Sequence, residues 1–372
     1  VTSTTGSFSL QAAPGSVLRV SFVGYAEQSA KVVAGKTTYD FVLESDALEI
    51  EELVVVGYGT QKKASLTGAI SAINNEEIIT TKNENVQNML TGKVAGLRVR
   101  QNSSEPGQFN TSMDIRGFGA PLIVIDGVPG GNLTNINAND MASFDILKDG
   151  AASAIYGTRG SNGVILVTTK KGQRDGAVHT SYTGTFAWDK ANRDLKMLSA
   201  QEYREVKLGW GDRGVDLGGN LDWFDAVTRT GFTQQHTLTV SGGNSNSNYR
   251  VSADFRDANG IDLRSGRREY GARASIMHTT KGGLFTISAN IAPRIIDRSN
   301  ADWSVFKDAL EANPTTPLMD PENPAQYYNF YGQITGSNPV ERQKLEKDKA
   351  TTKLLDWDAT VKLNLLPLFA KN

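Results

Sequence analysis

The chain reads as mainly β, in three successive parts: a short-stranded sheet, a small α+β domain, and a run of long antiparallel strands. Three observations lead to this. From about residue 178 onward, apolar and polar residues alternate with a period of two. Between residues 61 and 172, a helix-period segment and continuous apolar runs replace that alternation. Glycine occupies 37 of the 372 positions and sits with Asn, Ser and Thr between the apolar runs, as turns require.

Residues 1–47 supply the short strands. Leu18, Val20 and Phe22 alternate with Arg19 and Ser21, and Tyr39, Phe41 and Leu43 with Asp40 and Val42. Pro14-Gly15, Gly24 and Gly35 punctuate them. This predicts part of a half-buried antiparallel sandwich, with about four strands where ~7 are usual. The acidic stretch Glu44–Glu52 and Leu53-Val-Val-Val56 follow. Three consecutive β-branched residues favour an extended backbone. With charges before and glycines after, residues 48–60 predict a solvated linker strand.

In the second part, Val86, Met89 and Leu90 share one helical face, ending near Gly92. Leu97–Val99, Leu122–Ile125, Phe144–Leu147 and Val164–Val167 predict strands, and Ala151–Tyr156 a short helix closed by Gly157. In the third part, six segments alternate: around Tyr182–Trp188, Leu238–Val240, Tyr249–Phe255, Ala272–Ile276, Phe285–Ile291 and Trp357–Leu365. Each is expected to run ~10 residues, the length of a tilted membrane-crossing strand. The alternation is equally compatible with a soluble sandwich or a soluble barrel.

Composition narrows the function classes. Apolar residues make up 39% and charged residues 21%, which excludes a disordered chain and a helical membrane protein. The net charge of -1 argues against a nucleic-acid partner. The absence of cysteine rules out disulfides and thiolate metal sites. No apolar run approaches the ~20 residues of a spanning helix, so a membrane could be crossed only by a closed barrel.

Apparent chemical motifs weaken on inspection. Arg116 and Asp126 have the residue types of a catalytic pair, but a buried ion pair or a turn-closing contact is the better expectation, since Asp126-Gly127 is a natural turn. Asn135, Asn137 and Asn139 have the spacing of a calcium loop, yet Asp140 stands where the turn glycine belongs and Ile146 where the bidentate glutamate belongs. His179, His236 and His278 lie on separate strands without ligand spacing, as expected of lumen or interface positions. Gly57-Tyr-Gly59 lacks the third glycine of a dinucleotide loop. No catalytic residues, metal site or cofactor are expected.

One segment, Glu51-Glu-Leu-Val-Val-Val-Gly-Tyr-Gly-Thr-Gln-Lys-Lys63, resembles the junction found in the SusC-like (SusC/RagA type) family of TonB-dependent transporters of Bacteroidetes. Five further blocks continue the resemblance in order: Leu90–Leu97, Ile115-Arg-Gly117, Pro121–Pro129, Ile146–Gly157 and Asn162–Gly172. The resemblance covers the whole chain. It favours the membrane barrel and implies four parts: a partial carboxypeptidase-regulatory-like sandwich over 1–47, a linker over 48–60, a plug over 61–172, and the first strands of a 22-stranded outer-membrane barrel over 173–372. Six strands cannot close such a cylinder, and Val1 is neither Met nor part of a leader, so the chain is expected to be a fragment. The stretch between Arg116-Gly117 and Pro121-Leu122 is shorter than the family pattern.

The same resemblance makes Val54, Val55, Val56, Gly57 and Tyr58 the TonB box, gripped by strand addition to a partner's sheet edge. It makes Arg116, Gly117, Asp126, Gly127, Tyr156, Gly157, Asn162 and Gly163 structural plug residues. Implied partners are the TonB-ExbB-ExbD complex, a SusD-like surface lipoprotein and outer-membrane lipid. The implied activity is import of an oligosaccharide or peptide, with the plug and N-terminal part on the periplasmic side. An alternative is a receptor that senses ligand and signals, which would need a dedicated signalling domain before the sandwich. An enzyme is a third reading, for which no metal-ligand cluster speaks.

Overall fold

The computed structural model describes residues 8–22, 25–42, 53–56, 59–62, 70–80, 83, 85–103, 105–106, 110–148, 154–207, 215–330 and 336–365. The chain divides into two compact units, Val1–Thr67 and Gly68–Asn372.

In the first unit, β1 (Val17–Phe22) and β2 (Tyr25–Lys31) form an antiparallel hairpin whose register shifts between Val20 and Phe22. The strand expected at Tyr39–Leu43 does not form: residues 38–42 are irregular, and Leu43 lies outside the described residues. Side chains hold this segment in place of a ladder. The Tyr39 hydroxyl accepts the Val33 N–H at 2.7 Å, and Gln28 donates to the Val42 carbonyl at 2.7 Å. The expected linker strand is also revised. β3 (Leu53–Val56) is paired with β4 (Gly59–Lys62), Val54 opposite Gln61 and Val55 opposite Thr60. Two runs of extended backbone two residues apart satisfy each other's hydrogen-bonding groups before any partner does. Gly57 and Tyr58 lie outside the described residues.

The second unit begins with a five-stranded sheet in the order β5-β10-β11-β8-β9: Ile70–Asn74, Met141–Leu147, Val164–Thr169, Leu122–Ile125 and Val128–Pro129. β11 runs parallel to β8 and antiparallel to β10. A separate hairpin joins β6 (Leu97–Arg100) to β7 (Ser112–Ile115). Helices α1 (Asn75–Ile79) and α2 (Val86–Met89) start on asparagine caps, Asn74 and Asn85, whose side chains accept N–H groups of the first turn. Ile78, Leu90, Ile115, Leu133, Met141, Phe144, Ile146 and Ile165 are fully enclosed in one core. Each such side chain contributes about 1.5–3 kcal/mol by leaving water. The expected helix at Ala151–Tyr156 is instead a pair of 3-10 turns over Ala154–Gly160, kinked at Gly157 with φ 61°; residues 151–153 lie outside the described set.

The remaining residues build one antiparallel sheet, β12-β13-β14-β15-β16-β17: Val178–Asp189, Gly231–Gly243, Ser247–Asn259, Gly266–Thr279, Phe285–Ser299 and Lys349–Leu363. These are the six expected strands, in an open sheet rather than a closed barrel. They run longer than ~10 residues because the ladder continues past the apolar stretch into polar rows. There, Arg268 meets Asp257 at 2.8 Å and Thr351 donates to Asp297 at 2.6 Å.

Among the described residues, the long connections of this sheet carry helices α3 (Ala200–Lys207), α4 (Trp223–Val227) and α5 (Ser304–Glu311). A fourth, α6 (Pro339–Leu345), follows α5 in the same connection. Connections 190–230, 260–265 and 300–348 leave one end of the sheet, while 244–246 and 280–284 are tight turns at the other. The connections at the first end share a small core: Trp223 packs edge-to-face on Phe330 at 5.1 Å, with Val227, Ala309 and Val340 enclosed beside them.

Candidate functional site: a small domain seated on an inside-out sheet

The sheet reverses the burial rule of soluble proteins. Thr237, Thr239 and Ser252 are at most 4% exposed, whereas their neighbours Leu238 and Val251 are 49% and 46% exposed. Ile276, Ile291 and Trp357 share that exposed face. A soluble sandwich would bury the leucines and expose the threonines. An apolar outer face with a polar inner face belongs to a barrel wall in lipid. Near the long-connection end, aromatic rings form a row across the outer face: Trp188 with Phe232, Phe186 with His236, His236 with Phe255, and Phe255 with Tyr270, at centroid distances of 5.2–6.3 Å. His236, expected in the lumen or an interface, therefore belongs to the outer face, where the Tyr182 hydroxyl sits 2.6 Å from its Nδ1.

The buried polar face is where the α+β domain docks. Asp140, at the start of β10, takes a hydrogen bond from Arg250 at 2.9 Å and one from the Ser252 hydroxyl at 2.9 Å. Asn137 donates to Thr237 at 2.9 Å, and Asn248 donates to the Gly172 carbonyl at 2.9 Å. All of these wall residues point inward because the strand period is two. Lys170 donates to Asn75 at 2.8 Å. Burial and the neighbouring Arg250 charge pull its pKa below the ordinary lysine value, against the opposing pull of Asp140 and Glu76. A second contact lies toward the long connections. The buried Glu105 accepts the Ala301 N–H at 2.7 Å, and burial pushes its carboxyl pKa up.

The residues singled out in the sequence gather at the two ends of the parallel pair β8/β11. At one end, Arg116 and Gly117 both adopt left-handed backbone, φ 53° and 87°. Asp114 accepts the N–H groups of Gly117 (2.5 Å) and Gly119 (3.2 Å) and holds that turn closed. Asn162 donates to the Ala120 carbonyl at 3.4 Å. Gly163 has φ 91°, and a Cβ there would lie 2.7 Å from Ile115 Cδ1 and 2.9 Å from the Leu147 carbonyl oxygen. At the other end, Asp126 (φ 49°) and Gly127 (φ 90°) make the two-residue turn that pairs Ile125 with Val128. The Asp126 carboxylate accepts the Thr169 N–H at 2.9 Å and its hydroxyl at 2.7 Å, with Arg273 of the wall 3.9 Å away. Arg116 lies apart from it, its side chain beside Gly96. Tyr156 and Gly157 belong to the kinked 3-10 segment Ala154–Gly160, which leads into the first cluster through the bond from the Gly163 N–H to the Gly160 carbonyl at 3.0 Å.

Sequence reasoning missed the docking residues Asp140, Arg250, Ser252 and Glu105. The only available signal was the inward polar series Arg250, Ser252, Asp254, Arg256, which announces a wet face without naming what covers it. Among the described residues, no group of three or more His, Asp or Glu is placed to hold a metal. No described helix is long and apolar enough to cross a membrane.

Comparison with known proteins places this geometry. The TonB-dependent receptor plug domain family matches residues 62–164. The TonB-dependent receptor SusC of Bacteroides thetaiotaomicron is 34% identical over 99% of this chain and 40% of its own length. TonB-dependent receptor P26 of Formosa agariphila is 31% identical over 92% of this chain and 36% of its own length. The chain thus spans well under half of these relatives. In structure, the RagAB peptide importer in its open-open state superposes with a TM-score of 0.69 at 22% identity, covering 84% of this chain and 40% of that one.

Proposed function

Because the chain belongs to the SusC-like family of TonB-dependent receptors, we propose that it takes part in TonB-dependent import of a nutrient, an oligosaccharide or a peptide, across the outer membrane. It breaks no bonds. The observation that carries this is the plug-family segment seated by Asp140, Arg250 and Ser252 on the polar face of a sheet whose other face is apolar and exposed. A gated wall needs that combination: lipid compatibility outside, and a displaceable, hydrogen-bonded stopper inside.

The division of labour follows the chain: a regulatory-like domain over 1–47, a linker over 48–60, the plug over 61–172, and barrel wall over 173–372. Tight turns face the periplasm and long connections face outward, the usual asymmetry of such barrels. The outer connections are then the natural seat of a SusD-like lipoprotein. Val54–Tyr58 is the TonB box for the TonB-ExbB-ExbD complex. Among the described residues it pairs with Gly59–Lys62 on one side, so TonB adds its strand on the other edge of Leu53–Val56 or in place of Gly59–Lys62.

The test is Val55→Pro at the native locus, in a host whose growth on a glycan or peptide source depends on this gene. Proline lacks the N–H a ladder needs. The variant should grow like the deletion strain while its outer-membrane abundance stays normal. Wild-type growth would overturn the coupling assignment.

A further inference from the structure

The first helix of the plug and the plug's seat on the wall meet at one side chain. Lys170, the residue after β11, donates its backbone N–H to the Asp140 carbonyl at 2.8 Å and its ammonium to the Asn75 side-chain oxygen at 2.8 Å. Asn75 opens α1, is 8% exposed, and donates its own amide to the Ala138 carbonyl at 2.8 Å. Asp140 carries the seat itself, through Arg250 and Ser252. A continuous chain of hydrogen bonds therefore runs from α1 through Lys170 to the wall.

The charges along this chain balance only while α1 is in place. Among the described residues, those acting on Lys170 are Arg250, which opposes its charge, and Asp140 and Glu76, which support it. Asn75 and Glu76 both belong to α1. When α1 leaves, the ammonium loses its side-chain acceptor and one of these two anions. The anion left to it is Asp140, the carboxylate that grips Arg250 at 2.9 Å. Two cations then compete for one buried carboxylate, and what Lys170 gains, Arg250 loses.

The placement of α1 suits it to such a role. It follows directly on β5, an edge strand of the five-stranded sheet. Its far end is held by Lys93, whose ammonium donates to the Ile78 carbonyl at 3.0 Å and the Thr80 hydroxyl at 2.9 Å. A pull applied ahead of β5 reaches α1 next.

We infer that Lys170 is a positioning residue that makes the seat of the plug conditional on α1. With α1 in place it leaves Asp140 to Arg250; with α1 displaced it draws Asp140 away and loosens the plug from the wall. The inference rests on the import reading, for which it names the step between a pull on the plug and its release.

The test is hydrogen exchange, read by mass spectrometry on the backbone amides of residues 137–141, in the full-length protein extracted from its own outer membrane. No energised complex takes part, so failure here is distinct from failure of the Val55→Pro result. Arg250→Ala fixes the exchange rate of the unseated plug. Lys93→Ala loosens α1 without altering Lys170, Asn75 or the wall. It should raise exchange at least ~10-fold in the wild-type background, and at most ~3-fold when combined with Lys170→Met or Lys170→Gln. A merely structural lysine would leave the two ratios equal, and equal ratios overturn the inference. So does a wild-type background that does not respond to Lys93→Ala. Exchange in both Lys170 variants already at the Arg250→Ala rate also overturns it, since Lys170 would then be a prop and not a relay.

Discussion

Arg294 on β16 reaches over β15 to grip Asp254 on β14, its two terminal nitrogens each 3.0 Å from a separate carboxylate oxygen. The bridge passes over Gly271, where a Cβ would come within 2.6 Å of both the Arg294 guanidinium and the Asp254 carboxylate. The missing side chain is therefore what lets a two-pronged ion pair span three strands on a buried face. Glu269 joins from β15 itself, 2.9 Å from Arg294. The wall is stiffened at the place where the plug domain rests on it.

Gly271→Ala should break this arrangement. Backbone fixes the new Cβ, so the guanidinium and carboxylate must separate, at a cost of about 1–3 kcal/mol from overpacking. Gly266→Ala on the same strand is the control, because its nearest neighbours would be at an ordinary 3.5 Å. Urea unfolding in detergent should show a lower midpoint for Gly271→Ala than for Gly266→Ala. Equal midpoints would mean the bridge contributes nothing.

Asp140 and Arg250 are 3% and 12% exposed at the side-chain level, so each is expensive to leave alone. Asp140→Ala or Arg250→Ala should each destabilise the seated plug by on the order of 3–5 kcal/mol, since an uncompensated charge stays behind. The double variant should cost clearly less than the sum, because neither charge is then stranded. Limited proteolysis of the plug as a function of urea reads this directly. Simple additivity would show that the two residues do not act as a pair.

The elements that the sequence announced are those whose signal is local. Alternation from Tyr182 to Leu363 needs no partner to be visible, and the Asp126-Gly127 turn is written in two adjacent letters. The docking contacts were invisible for the opposite reason. Asp140 and Arg250 are remote in sequence, and each has an innocent local reading, one as a misplaced calcium-loop residue and the other as a lumen polar. The strand expected at Tyr39–Leu43 failed through a side-chain effect: the Tyr39 hydroxyl takes the Val33 N–H, a bond that residue patterning does not encode. Val54–Val56 was read correctly as extended, but its pairing with Gly59–Lys62 was not foreseen, because propensity says nothing about which edge an extended segment will use.

Gly163 tests whether the turn clusters at the ends of β8 and β11 are structural. Alanine there would meet two obstacles at once: a left-handed backbone, φ 91°, and contacts of 2.7 Å to Ile115 and 2.9 Å to the Leu147 carbonyl. Neither neighbour can move freely, since Ile115 is wholly buried and the carbonyl belongs to β10. The combined strain and overpacking should cost roughly 2–4 kcal/mol. Gly117→Ala, also left-handed but with open space around its Cβ, should cost less, roughly 1 kcal/mol. Thermal melts of the two variants should rank in that order, and the reverse order would refute the packing account.

Glu105 ties the plug to the foot of the connection 300–348, and it should do so in a pH-dependent way. Its carboxyl is raised by burial, and Asp262 nearby pushes the same way. The Ala301 N–H, the Trp303 side chain and Arg298 oppose that shift without cancelling it. The folded protein therefore holds this proton more tightly than the unfolded chain, whose glutamate titrates near ~4.3. The stability it contributes is complete below that value and is lost as pH rises through the higher folded value. Glu105→Gln keeps an acceptor for the Ala301 N–H and removes the titration. From pH ~4 to ~7 the wild type should lose melting temperature relative to Glu105→Gln, with the gap opening just above the unfolded value. Parallel pH profiles for the two proteins would show that Glu105 is not the proton-sensitive contact between the plug and the connection 300–348.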